Sequence, residues 1–225
     1  MPVVSMVSSK GGAGKTTAAL VIAGEVAQAG RNVILIDADP NRPLEAWAQR
    51  PGRPENVEVV VDESAETIVD TINDAKGRAP FVIVDLEGTA TDRIGFAVSQ
   101  SDLALIPVQG SVLDANEAAK SIKLIRQMAK VVNRAIPYAV FFSKMPGAIR
   151  EKTFRDIEAQ FLSASVPILE PALSDRAAYR SLFSFGGTVY TLSDGQVSGL
   201  KAAQDNSNAF VRSLLDELKK NRAAA

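Results

Sequence analysis

Seven short apolar runs alternate with longer amphipathic stretches along this chain. The runs cover residues 3–7, 33–36, 57–61, 81–84, 103–108, 139–142 and 166–169, and most are β-branched or aromatic with Gly, Pro, Asp or Ser at their borders. That composition reads as buried strands. Between them, segments near 15–29, 64–76, 91–100, 114–134 and 149–163 carry a helical period, and a last one lies near 201–221. Strand alternating with helix predicts an α/β fold: a mostly parallel, doubly wound sheet with helices on both faces. Past residue 170 the pattern weakens, and a Gly-containing stretch occupies 184–199. With no repeat, linker or low-complexity tract, the expectation is one domain over 1–222 and a short tail at 223–225. No apolar run approaches the roughly 18 residues of a spanning helix.

One segment carries specific chemistry. Lys10-Gly11-Gly12-Ala13-Gly14-Lys15-Thr16-Thr17 follows the first strand and opens the first helix, the setting a phosphate-binding loop requires. Glycines let backbone N–H groups wrap phosphate oxygens, and the helix dipole points at the same place. Lys15 is expected on the β and γ phosphates, and the Thr16 hydroxyl on Mg²⁺.

Composition narrows the rest. The chain has no cysteine and no histidine. Disulfides, thiolate metal sites and cysteine or histidine catalysis are therefore excluded. Carboxylates, lysine, hydroxyls and backbone dipoles remain. Asp37 and Asp39 end the second strand and Asp85 ends the fourth, and carboxyl ends of parallel strands line the ligand crevice.

A second lysine, Lys10, opens the phosphate loop. With it the sequence resembles the ParA/MinD family, whose deviant Walker motif reads KGGxGKTT; the likeness extends to Asp37-Ala38-Asp39-Pro40, to Val82-Ile83-Val84-Asp85, and to the Asn41-Arg42-Pro43-Leu44 stretch with Trp47. The resemblance implies an Mg²⁺-dependent ATPase that forms a homodimer sandwiching two ATPs. Lys10 would cross to the partner's nucleotide, as an arginine finger does. Asp39 would orient the attacking water, Asp37 would lie near Mg²⁺, and Asp85 would hold Mg²⁺ through water. Residues 11–17 would cradle the phosphates, and the segments Phe142–Pro146, with Met145 and Pro146, and Pro171–Arg176 would enclose the base. Gly88 supplies the flexible turn after Asp85, while Glu87 departs from the family pattern. The implied role is positioning or segregation of DNA or another cargo, with slow hydrolysis stimulated by a ParB-like or adaptor protein.

The total charge is −1, from 25 basic and 26 acidic residues, so DNA affinity needs a local patch. Asp114 and Glu117 read as a capping box. The helix behind them carries Lys120, Lys123, Arg126, Lys130 and Arg134, within about 120° of arc and over about 21 Å. Such a stripe reads either as a solvated outer face or as a surface for non-specific double-stranded DNA. The last helix, with Phe210, Val211, Leu214, Leu215 and Leu218, reads as core packing rather than a membrane face. A cytoplasmic, nucleoid-associated protein is expected. A membrane-associated MinD-like regulator and a metabolic phosphate-loop enzyme are the alternatives. Nine residues before Lys10 leave no room for a helix-turn-helix, so operator binding is not expected.

Overall fold

In the computed structural model, which describes residues 1–88, 92–145 and 152–223, the apolar runs form β1 (Val3–Met6), β2 (Val33–Ala38), β3 (Val57–Val61), β4 (Val82–Leu86), β5 (Leu103–Val108), β6 (Tyr138–Met145) and β7 (Ile168–Ser174). They build one sheet in the order β3-β2-β4-β1-β5-β6-β7, and every neighbouring pair is parallel. The helices are α1 (Lys15–Gln28), α2 (Pro43–Ala48), α3 (Ile68–Arg78), α4 (Asp92–Ser99), α5 (Val112–Val131), α6 (Lys152–Ser163), α7 (Ala177–Phe185) and α8 (Leu200–Ala223). Side chains alternate across each strand, so two cores form. One lies under α1, α2, α7 and α8, the other under α3, α4, α5 and α6.

Strand register sets the site. Met6 on β1 pairs with Asp85 on β4, and Asp85 pairs with Asp37 on β2. The phosphate loop therefore leaves the middle of the sheet beside two carboxylates at the same carboxyl edge.

Several boundaries differ from expectation. Helix α5 starts at Val112, with Ser111 as N-cap accepting from the Asp114 N–H at 3.1 Å. The box is thus Ser111 with Asp114, not Asp114 with Glu117. It ends at Val131, where Asn133 takes φ 49°. The N–H groups of Asn133 and Arg134 return to Lys130 O and Ala129 O, a Schellman closure. Arg134 therefore lies beyond the helix. Helix α3 begins later than 64, because the Asp62 carboxylate accepts from Ser64 N–H and Thr67 hydroxyl and holds a turn there. Helices α2 and α7 lie in stretches where the pattern gave no helix. Helix α8 sends Leu200, Phe210, Val211, Leu214 and Leu218 into the core, with the Phe210 ring 5.2 Å from Phe141. Among the described residues no helix is long and apolar enough to cross a membrane.

Candidate nucleotide site

Gly12 (φ 73°) and Gly14 (φ 105°) sit in the left-handed region, where a Cβ is resisted. Gly14 is the N-cap of α1; no side chain caps that end and no acid lies in the first turn. Its N–H groups and positive dipole end are left to an anion. A Cβ on Gly11 or Gly12 would meet nothing within 4 Å. The loop instead rims a cavity of about 280 Å³ bounded by residues 11–17, Asp39, Asn41, Lys144 and Phe183. The loop is held from behind: Gly12 O accepts from Gln109 Nε2 (2.8 Å) and Lys144 Nζ (2.7 Å), and Ala13 O accepts from Ser143 Oγ (2.6 Å).

Lys15 is almost wholly buried. Burial pushes its ammonium below the usual lysine value, against the pull of Asp85, Asp39 and Glu87. The Thr16 hydroxyl donates to Asp85 Oδ2 at 2.6 Å. Asp85 has no exposed surface; burial pushes its carboxyl up to about 7, although Thr16 and Lys15 oppose the shift. Its second oxygen, Oδ1, is buried without a partner. An orphaned carboxylate oxygen beside a threonine hydroxyl suits a hard cation. Among the described residues no group of three or more acids could cage a metal alone. Mg²⁺ fits such a site, because it keeps waters and phosphate oxygens in its shell.

The two acids of β2 divide. Asp39 borders the phosphate cavity, and its Oδ1 accepts from the backbone and side chain of Asn41, both at 2.9 Å. Asp37, expected near Mg²⁺, stands beside Asp85 in the sheet and also caps a helix. Its Oδ2 accepts from Leu44 N–H and Glu45 N–H, both at 2.8 Å, and so caps α2. Burial raises its carboxyl above the usual range, while those N–H groups oppose the rise. After β4, a Cβ on Gly88 would stand 2.9 Å from Gly11 N, so the exit of β4 lies directly against the phosphate loop. Glu87 pairs with Arg93 on α4 at 3.0 Å.

Lys10 is not among the residues bounding its own phosphate cavity. Its ammonium, 43% exposed, pairs with Asp114 on α5 at 2.7 Å. Burial alone would raise the Asp114 carboxyl, but Lys10 and Ser111 outweigh it and hold the group below the usual carboxylate range. One turn on, Glu117 accepts from Ser9 Oγ at 2.5 Å. The first turns of α5 thus clasp the start of the loop.

A second cavity of about 410 Å³ adjoins the first, lined by Gly14, Thr17, Ser143, Lys144, Arg176, Tyr179 and Phe183, among others. Phe183 and Lys144 border both cavities, so the second space opens beside the phosphate loop. Met145 does not line it, and Pro146 lies outside the described residues. Ser143 and Lys144 belong to the segment Phe142–Pro146, and Arg176 to the segment Pro171–Arg176, that the resemblance gives to the base, whereas Tyr179 and Phe183 of α7 carry no such signal. The α7 stretch carries no motif, and only its docking beside Gly14 gives it meaning. Arg176 Nε is buried there without a partner.

The basic stripe divides as well. Lys120 pairs with Glu117 at 2.6 Å. Arg126 donates to the Tyr138 hydroxyl at 3.0 and 2.6 Å. Arg134 donates to Ser99 O and Ser101 O at 2.7 and 3.2 Å. Lys123 and Lys130 are exposed and make no ion pair with another described residue.

Comparison with known proteins gives the family. The family model described as VirC1 protein matches residues 1–215. The chain is 40% identical over 218 residues to the protein ParA of Rhizobium radiobacter, covering 97% of this chain and 98% of that one. Two solved structures share the fold. They are apo McdA of Cyanothece (TM-score 0.77, 16% identity, 96% of this chain and 99% of that one) and the cell division protein MinD of Aquifex aeolicus (TM-score 0.72, 21% identity, 96% and 98%). The chain belongs to the VirC1 family, within the ParA/MinD-type phosphate-loop ATPases.

Proposed function

We propose that this protein binds ATP with Mg²⁺, pairs with a second copy across the two nucleotides, and hydrolyses ATP slowly to position or segregate DNA or another cargo. The observation that carries this reading is Lys10. It opens the phosphate loop, lies off its own phosphate cavity, and is held at the surface by Asp114. A cation so placed serves a neighbouring copy better than its own nucleotide.

In the reaction a water oxygen bonds to the γ-phosphorus as the bond to the β–γ bridging oxygen breaks. Lys15 and the N–H groups opening α1 hold the phosphate oxygens. Asp39 accepts a hydrogen bond from the water and aims it. Thr16 and Asp85 would hold Mg²⁺, which supplies charge neutralisation across the β and γ phosphates. The partner's Lys10 adds the last cation, so hydrolysis by one copy alone is slow.

Double-stranded DNA, bound without sequence preference, is the proposed carrier, and a ParB-like or other adaptor protein the proposed stimulator. Helix α5 offers two unpaired lysines per copy, so the dimer, not the monomer, holds phosphates usefully. The buried apolar face of α8 disfavours the membrane alternative. The test is mass by light scattering, with DNA retention across a salt series, in ATP and in ADP. A dimer that forms with ATP and binds DNA in a salt-sensitive way supports the reading. A monomer in both nucleotides, for wild type and Lys10→Ala alike, contradicts it.

A further inference from the structure

Helices α5 and α6 leave between them a groove of about 540 Å³, away from the nucleotide cavities. Its floor is apolar, made by Ile122, Phe161 and Val166, and its shoulders are the small side chains of Ala115, Ala119 and Ala164. One wall is cationic, with Lys123, Arg126 and Lys130, and among the described residues no carboxylate lines the groove. In a chain whose net charge is −1, this is a local excess of positive charge over an apolar trough.

We propose that this groove docks an acidic amphipathic helix of a partner protein. Small shoulders let a second helix come close, and the floor takes apolar side chains at helical spacing. Lys123 and Lys130 stand two turns apart, about 10.5 Å, and meet carboxylates on the flank of the docked helix. Arg126 stays tied to Tyr138 and closes the wall. A second copy of this chain would set lysine against lysine here. A DNA duplex would use Lys123 and Lys130 but leave the floor empty. The proposal rests on the positioning-ATPase reading for the existence of an adaptor, and it fixes that adaptor's chemistry.

The probe is a fluorescein-labelled peptide of repeated Leu-Glu-Glu-Leu-Leu-Glu-Glu heptads, followed by polarisation beside a labelled random DNA duplex. The proteins are wild type, Ala119→Trp and the pair Lys123→Glu with Lys130→Glu. Ala119 is exposed, so a tryptophan there fills the groove without entering the core. Saturable peptide binding is expected, weakened about tenfold or more by either change and by salt. Ala119→Trp should leave duplex binding and basal ATPase at the wild-type level. Three results overturn the proposal: no saturable peptide binding to wild type, peptide binding by either variant as tight as the wild type's, or loss of duplex binding in Ala119→Trp. Because the peptide readout needs no hydrolysis, an inactive ATPase would count against the functional reading alone.

Discussion

Lys10 and Asp114 are 104 positions apart in sequence and form an ion pair of 2.7 Å between the phosphate loop and α5. The acid is nearly buried and the lysine is half exposed. For Lys10 to reach a partner's nucleotide, this pair must open, and opening costs about 1 kcal/mol for an exposed lysine. Two such pairs open per dimer, so replacing Asp114 by Asn is expected to move ATP-dependent dimerisation to about thirtyfold lower protein concentration. Sedimentation or light scattering across a dilution series measures it. A dimer weakened by the change would mean that Asp114 serves the dimer rather than the monomer.

Lys15→Ala should lower ATP affinity by about a hundredfold or more, because a charge-assisted clamp on two phosphates is lost and nothing replaces it. Calorimetry settles this. In the free protein burial acts on this ammonium more strongly than the pull of Asp85, so the affinity loss should not come from a less stable fold.

Asp85 gives a pH signature. Its folded carboxyl, pushed up to about 7, lies above the ordinary value near 3.9 of an unfolded chain. The fold then favours the proton, and its stability should fall as pH rises from about 4 to about 7 and level off above that. Asp85→Asn removes the cost. The nucleotide-free variant should be more stable than wild type at pH 8, by on the order of 2–4 kcal/mol, with the difference shrinking by pH 4. Denaturant melts at the two pH values measure this; a pH-independent difference would contradict it.

Asp37 separates capping from metal binding. Trp47 on α2 is 2% exposed and donates to Gly187 O at 2.9 Å, so its indole reports whether α2 is docked. Asp37→Ala removes the cap of α2, at a cost of about 1–3 kcal/mol. Tryptophan emission should shift to the red and stability should fall without nucleotide or Mg²⁺. A variant with unchanged emission but altered Mg²⁺ dependence would restore Asp37 to the metal site. In the intact protein, a change in Trp47 emission on adding ATP with Mg²⁺ would show that the Asp37–Asp39 turn moves with α2.

The strands and the phosphate loop were legible because their signals are local. β-Branched runs with turn residues at their ends mark strands, and Lys10 to Thr17 is a contiguous motif between a strand and a helix. What escaped depended on distant parts of the chain. The capping role of Asp37 leaves no trace in the sequence, because α2, the helix it caps, spans six residues and gives no periodic signal. A helical wheel places Arg126 and Arg134 on one outer stripe, but Tyr138 on β6 and the Ser99 and Ser101 carbonyls at the end of α4 claim them. Ser111 was missed as the cap of α5 because Val112 and Leu113, its first helical residues, are apolar yet exposed. Tyr179 and Phe183 of α7, beside the second cavity, have no sequence signature, since only the docking of α7 beside Gly14 makes them a wall.

The central claim is that Lys10 acts on the nucleotide of a second copy, and mixing two inactive variants tests it most directly. Lys10→Ala lacks the crossing cation, and Asp39→Ala lacks the group that aims the water. In a mixed dimer, the site with intact Asp39 receives Lys10 from the other copy, while the opposite site lacks both. Half the dimers in an equal mixture are mixed, each with one working site, so about a quarter of wild-type ATPase should return. If the mixture stays as inactive as its components while forming dimers of the right mass, Lys10 acts on its own nucleotide and the account is wrong.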